Sequence, residues 1–153
     1  MILKLLGFRF RGAGTTAAGL EVVQEFLRTE VGVSDVELTD GSGLSRENRA
    51  SAESVVKLLA YMRNHRHGKA FAGSLAVAGA SGTLKERMES TGGRIHAKTG
   101  SISGVSCLSG YAETSQGETL IFSILANDWR SGGGTPRDLQ DALGELMASW
   151  KAP

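Results

Sequence analysis

The apolar positions of the chain follow two periods: three to four residues over most of the first 90 residues and again at the C-terminal end, and two residues between Arg94 and Asn127. Met1-Ile2-Leu3-Lys4-Leu5-Leu6-Gly7 reads as the last turns of an apolar helix, with Gly7 as its stop. Thr15 or Thr16 caps the next helix, from about Ala17 to Glu30, where Leu20, Val23, Leu27 and Val31 recur at helical spacing. Val36-Glu37-Leu38-Thr39 alternates like a short strand and runs into the turn-rich Asp40-Gly41-Ser42-Gly43-Leu44-Ser45-Arg46. Ser51 at an N-cap, with Ser54 at the third helical position, opens a helix whose inward face is Val55, Leu58, Leu59 and Met62. A short helical stretch over Ala70–Leu75 leads to the small-residue turn Ala78-Gly79-Ala80-Ser81-Gly82, and Thr83 is expected to cap a helix through Met88.

From Arg94 the period becomes that of strands. Arg94–Thr99, Gly104–Glu113 and Glu118–Asn127 read as consecutive strands, the last two joined by the hairpin turn Thr114-Ser115-Gln116-Gly117. Pro136 then sits in the first turn of a final helix with Leu139, Leu143, Leu146 and Met147 on one face. The pattern predicts an α+β fold: helices, an antiparallel three-strand meander, then a C-terminal packing helix.

Composition narrows the function classes. The 153 residues are 41% hydrophobic and 22% charged, ordinary for a globular chain, and 17 basic against 16 acidic residues give no electrostatic case for a nucleic-acid partner. The basic run Arg63-Asn64-His65-Arg66-His67 lacks interleaved aromatics and reads as a solvated helix end. Cys107 is the only cysteine, in a strand-like run where it serves as a small buried apolar residue, and His65, His67 and His96 lack metal-site spacing. No metal or cofactor is therefore expected. Trp129 and Trp150 read as packing residues. No run reaches transmembrane length. The apolar opening is too short for a signal peptide, so the chain is expected either to be cytosolic or to begin downstream of an export signal.

Candidate chemistry lies in His96-Ala97-Lys98-Thr99-Gly100-Ser101. Lys-Thr-Gly at a strand end sets an ammonium, a hydroxyl and an unobstructed backbone side by side. Glycine leaves room for an extended peptide along the strand edge, and Lys98, Thr99 and Ser101 can hold a carboxylate. Three residues alone are weak evidence, but their surroundings add weight. Asp40 to Arg46, then Ser74-Leu75-Ala76-Val77-Ala78-Gly79, Gly82-Thr83-Leu84, Ala97 to Ser101, and Gly104-Val105 through Gly110-Tyr111 occur in one order. In that order the chain resembles the D-alanyl-D-alanine carboxypeptidases and endopeptidases of the class C low-molecular-mass penicillin-binding proteins, over most of its length.

The resemblance implies part of a penicillin-binding, β-lactamase-like transpeptidase domain, working in the periplasm or cell envelope on peptidoglycan stem peptides that end in D-Ala-D-Ala, and binding β-lactams. The family uses Ser-x-x-Lys, Ser-x-Asn and Lys-Thr-Gly motifs to form and hydrolyse an acyl-enzyme. On the matching positions, Lys98 takes the catalytic role in proton shuttling and pocket electrostatics. Thr99 and Ser101 hold the substrate carboxylate, and the backbone after Gly100 supplies an oxyanion donor. Arg46 and Ile102 are candidates for contact with the stem-peptide side chain. Ser42 and Ser45 stay open between a substrate role and bonding their own loop.

The departures are as informative. No Ser-x-Asn precedes the first helix, and Met1–Gly7 is similar to the helix that follows that motif. The literal Ser-x-x-Lys, Ser54-Val55-Val56-Lys57, follows the Asp40–Arg46 loop, whereas the family's nucleophile precedes it. Lys57 lies off the apolar face, so it should be solvated and keep its proton. The chain is expected to be the C-terminal, Lys-Thr-Gly part of a catalytic domain, inert alone. The alternatives are a non-catalytic stem-peptide or β-lactam binding module, a piece that pairs with a separate chain carrying the nucleophile, and an autonomous hydrolase using Ser54 and Lys57.

Overall fold

A computed structural model of the chain describes residues 1–129 and 135–151. They form two compact units, Met1–Leu58 and Leu59–Pro153.

In the first unit, α1 (Ile2–Arg11) packs on α2 (Thr16–Phe26), which runs on into a π turn at Leu27–Val31. Thr15 caps α2, its hydroxyl accepting from the Ala18 amide at 3.1 Å. Gly7 is not a helix stop. It lies inside α1, where a Cβ would come within 2.7 Å of the Gly19 nitrogen, and at Gly19 a Cβ would come within 2.1 Å of the Leu3 carbonyl oxygen. The helices thus cross through two glycines, and Gly12, with φ at 72°, terminates α1. The strand expected at Val36–Thr39 shrinks to one bridge, Glu37 to Arg49. The Thr39 amide goes instead to the Asn48 side chain at 2.8 Å, a local bond that competes with strand pairing.

Helix α3 (Ala52–Asn64) begins as expected, with the Ser51 hydroxyl accepting from the Ser54 amide at 3.0 Å; its last turns belong to the second unit. There follow α4 (Gly68–Gly73), β1 (Ala76–Val77), β2 (Ile95–Ile102), β3 (Val105–Glu113), β4 (Thr119–Asn127) and α5 (Pro136–Ser149). The sheet is antiparallel in the order β1-β2-β3-β4. The expected meander is β2 to β4, and β1, only two residues long, is too short to show a period. Thr83 caps no helix: Gly82–Leu84 is a single 3₁₀ turn, and Met88 stands in the left-handed region at φ 52°.

One face of the sheet carries the core, with Ile95, Ala97, Leu108, Ala112 and Phe122 packed against Leu84, Met88 and Ala148. Helix α5 opens with a Thr135–Asp138 capping box. Its buried positions are Gln140, Gly144 and Ala148; of the larger apolar side chains expected to face inward, Met147 packs against the core, whereas Leu139 and Leu146 are exposed. Small residues let the helix sit close: a Cβ at Gly144 would be 2.4 Å from the Met88 sulfur. The Arg87 guanidinium grips this helix, donating to Asp141 Oδ1 at 2.6 Å and to Gln140 Oε1 at 3.2 Å. Trp129 and Trp150 are 42% and 48% exposed, so neither is a core residue. Among the described residues, no helix is long and apolar enough to cross a membrane.

Candidate functional site

Strand β2 brings five of the expected site residues into one row: Lys98, Thr99, Gly100, Ser101 and Ile102. On one side all five pair with β3, Lys98 opposite Ser109 and Gly100 opposite Cys107. On the other side β1 pairs only with His96 and Ala97. Among the described residues no strand continues that pairing, so the edge opens where Lys-Thr-Gly begins. The row of backbone donors and acceptors there can take an added strand.

Alternation distributes the side chains. Ile95 and Ala97 point into the core, with Thr99 and Ser101 following on that face; Lys98, Gly100 and Ile102 lie on the opposite one. The Lys98 ammonium donates to the Thr99 carbonyl. The Thr99 hydroxyl donates to that of Thr83 at 2.9 Å. A Cβ on Gly100 would meet the Cys107 Cβ at 3.4 Å, an ordinary contact, and Gly100 does not have a positive φ. Among the described residues nothing in the packing therefore demands a glycine at that position, whereas close approach from outside would. Cys107 is half-buried, and burial raises its thiol pKa, which keeps it protonated and unreactive.

Ser42 and Arg46 lie in the first unit, in a loop built around Asp40. One carboxylate oxygen accepts from the Ser42 hydroxyl at 2.6 Å, the Leu44 amide at 3.2 Å and the Ser45 amide at 3.1 Å. The other accepts from the Gly43 amide at 3.1 Å and the Asn48 side chain at 2.7 Å. Ser42 thus spends its proton on Asp40. On the far side, Arg49 donates to the Arg46 carbonyl at 2.6 Å, so the backbone that carries Arg46 is held from both directions. Hydrogen bonds, that of Asn48 foremost and that of Ser42 next, hold the Asp40 carboxyl well below the usual carboxylate range. A depressed folded-state pKa stabilises above the unfolded value of about 4 and loses that contribution only as pH falls through the folded value. Amide exchange at Gly43–Ser45 should therefore stay protected from neutral pH to below 4, whereas Asp40→Ala should expose these amides at every pH.

Ser54 and Lys57 do not form a nucleophile and base. The Ser54 hydroxyl is buried and donates to Asp35 at 2.6 Å, and Ser51 lies 2.7 Å away. Lys57 is exposed and paired with Glu53 at 2.7 Å; that partner's hydrogen bond and charge raise its pKa. Sequence reasoning missed the contact of Thr83 with Thr99. The signal available was the Gly82-Thr83-Leu84 segment, whose glycine stands at φ 58°. It also missed the Arg87 anchor, because a single charged residue far from α5 in sequence shows no period.

An α+β sheet with a packing helix and an edge left open at Lys-Thr-Gly is the arrangement of part of a penicillin-binding protein fold. The chain matches the D-Ala-D-Ala carboxypeptidase 3 (S13) family over residues 1–150, and it belongs to that family. It is 42% identical, over 98% of its length, to a D-alanyl-D-alanine carboxypeptidase of an Actinomadura species, of which it spans 29%. It is 30% identical over 84% of its length to carboxypeptidase DacB of Mycolicibacterium smegmatis, again spanning 29% of the relative. Among solved structures, penicillin binding protein 4 of Haemophilus influenzae superposes with a TM-score of 0.80 at 24% identity, over 94% of this chain and 35% of that one. The same protein is also known in complex with a β-lactam. The chain thus spans under a third of these curated relatives' length.

Proposed function

We propose that the chain is the Lys-Thr-Gly part of the catalytic domain of a serine-type D-alanyl-D-alanine carboxypeptidase or endopeptidase of the cell envelope. It supplies the strand along which a peptidoglycan stem peptide, or a β-lactam, lies. The observation that carries this reading is the edge of β2, unpaired on one side from Lys98 to Ile102. A peptide added there gains main-chain hydrogen bonds, and its terminal carboxylate meets Lys98, Thr99 and Ser101. The nitrogen of Ser101 is the oxyanion donor, and Ile102 is the contact for the stem side chain. The serine nucleophile and its lysine come from outside residues 1–153, either upstream in the same protein or from a paired chain. The second of these draws support from β4, whose stretch Thr119–Asn127 bears no charge and no proline and forms the sheet's other edge.

The test is titration of the isotope-labelled chain with a short peptide ending in D-Ala-D-Ala and with its C-terminal amide. Amide shifts should cluster on Lys98–Ile102 and be stronger for the acid. Charge-assisted bonds contribute about 1.5–3 kcal/mol each, so Lys98→Ala should weaken binding of the acid by about tenfold or more. Equal response to acid and amide, or shifts scattered away from β2, would overturn the reading.

A further inference from the structure

We propose that Thr83 is a positioning residue of the carboxylate subsite, setting the direction in which the Thr99 hydroxyl points its proton. The inference rests on the reading of the β2 edge as the seat of a peptide's terminal carboxylate.

Thr83 is exposed, yet the residues on either side of it are held. Leu84 next to it is fully buried in the core. The Gly79 amide donates to the Leu84 carbonyl at 3.0 Å and to that of Arg87 at 2.9 Å. The Ser81 hydroxyl accepts from the Val77 amide at 3.1 Å, and the Ser81 amide donates to the Val77 carbonyl at 2.9 Å. Gly82, at φ 58°, brings the turn so near β1 that a Cβ there would lie 3.0 Å from that of Ala76. Ala76 is the β1 residue that pairs with Ala97, the last position of β2 that β1 covers. The turn therefore delivers the Thr83 hydroxyl to the place where the open edge begins, 2.9 Å from that of Thr99.

Each hydroxyl has one proton to donate, and a carboxylate can only accept. While Thr99 donates to Thr83, it offers an incoming ligand only a lone pair. The two hydroxyls can invert by rotation, without moving a heavy atom: Thr83 then donates to Thr99, and Thr99 donates to the carboxylate. A hydroxyl that accepts one hydrogen bond is a stronger donor in the next, so the inverted pair favours the acid. A C-terminal amide has no need of the inversion, because its N–H can donate to Thr99 in the resting orientation. Thr83 thus becomes a determinant of acid over amide, acting through Thr99.

Thr83→Val keeps the shape and removes the hydroxyl; Thr83→Ser keeps the hydroxyl. Both variants, first checked for unchanged melting and sheet amide shifts, are titrated with the D-Ala-D-Ala acid and its amide. Thr83→Val should lose about three- to tenfold in affinity for the acid, with little change for the amide, the span of one ordinary hydrogen bond. Thr83→Ser should restore the preference. If wild type prefers the acid and Thr83→Val keeps that preference or binds the acid more tightly, the Thr83 assignment fails while the reading of β2 stands. If wild type itself shows no preference for the acid, the reading of β2 fails and takes the Thr83 assignment with it.

Discussion

A fluorescent penicillin incubated with this chain is expected to leave no covalent adduct, by denaturing electrophoresis or intact mass. The only serine with a lysine three residues on is Ser54, and both halves of the pair are otherwise engaged. The Ser54 hydroxyl is buried and gives its proton to Asp35 at 2.6 Å, an acceptor whose own pKa is lowered by that bond, the Ser51 hydroxyl adding to the effect. Lys57 sits in water on an ion pair with Glu53 that favours the charged ammonium. A base must be unprotonated near neutral pH to take the serine proton, and Lys57 is driven the other way. Loss of the nucleophile in a comparable serine hydrolase costs on the order of a millionfold in rate. A stoichiometric adduct mapped to the Ser54 peptide would overturn this account and return the chain to the class of autonomous hydrolases. An adduct that forms only after a second chain or upstream segment is supplied would identify where the nucleophile resides.

The parts of the fold legible in the sequence were those where one side chain type repeats over several turns or strand residues. The meander from Ile95 to Asn127 alternates over long enough runs to be read, and the Ser51 and Thr15 caps announce their helices by chemistry. What escaped were contacts made by small residues. Gly7 looked like a stop because glycine usually ends a helix, yet here it removes a side chain from a helix crossing. In α5 the large apolar residues carry the visible period, and of them Met147 does pack against the core, but the buried positions are Gln140, Gly144 and Ala148, since close packing against Met88 leaves no room for a larger side chain at Gly144. The site divides in the same way. The Lys98–Ile102 row was legible as a motif, but its open edge depends on where β1 stops, a long-range pairing that no local pattern reveals. The Asp40 hub was legible in kind, since Asp, Ser and Asn bond their own loops, though not in the number of donors that one carboxylate gathers.

Two glycines on neighbouring strands separate packing from function. Gly110 on β3 pairs with Ala97, and a Cβ there would fall 2.1 Å from the His96 carbonyl oxygen and 2.6 Å from the Ala97 Cα. These are backbone atoms, so no rotamer change relieves the clash and the strands must separate. Overpacking costs about 1–3 kcal/mol where side chains can adjust. Gly110→Ala should therefore lie at or beyond the top of that range, lowering the melting temperature by roughly 6–12 °C at 2–4 °C per kcal/mol. The displacement falls on β2 one residue before Lys98, so binding of the D-Ala-D-Ala acid should fall with stability. Gly100→Ala is the contrast. Among the described residues its methyl meets only Cys107, the Cβ at 3.4 Å and the Sγ at 4.0 Å, so melting should stay within about 1 °C of wild type. The same methyl projects from the strand on which the peptide is to lie, and binding should drop by about tenfold or more. Gly110→Ala melting like wild type would refute the tight strand crossing. Gly100→Ala binding like wild type would place the peptide elsewhere than along β2. The two outcomes are independent, because one reads the distance between two strands and the other the space beside one of them.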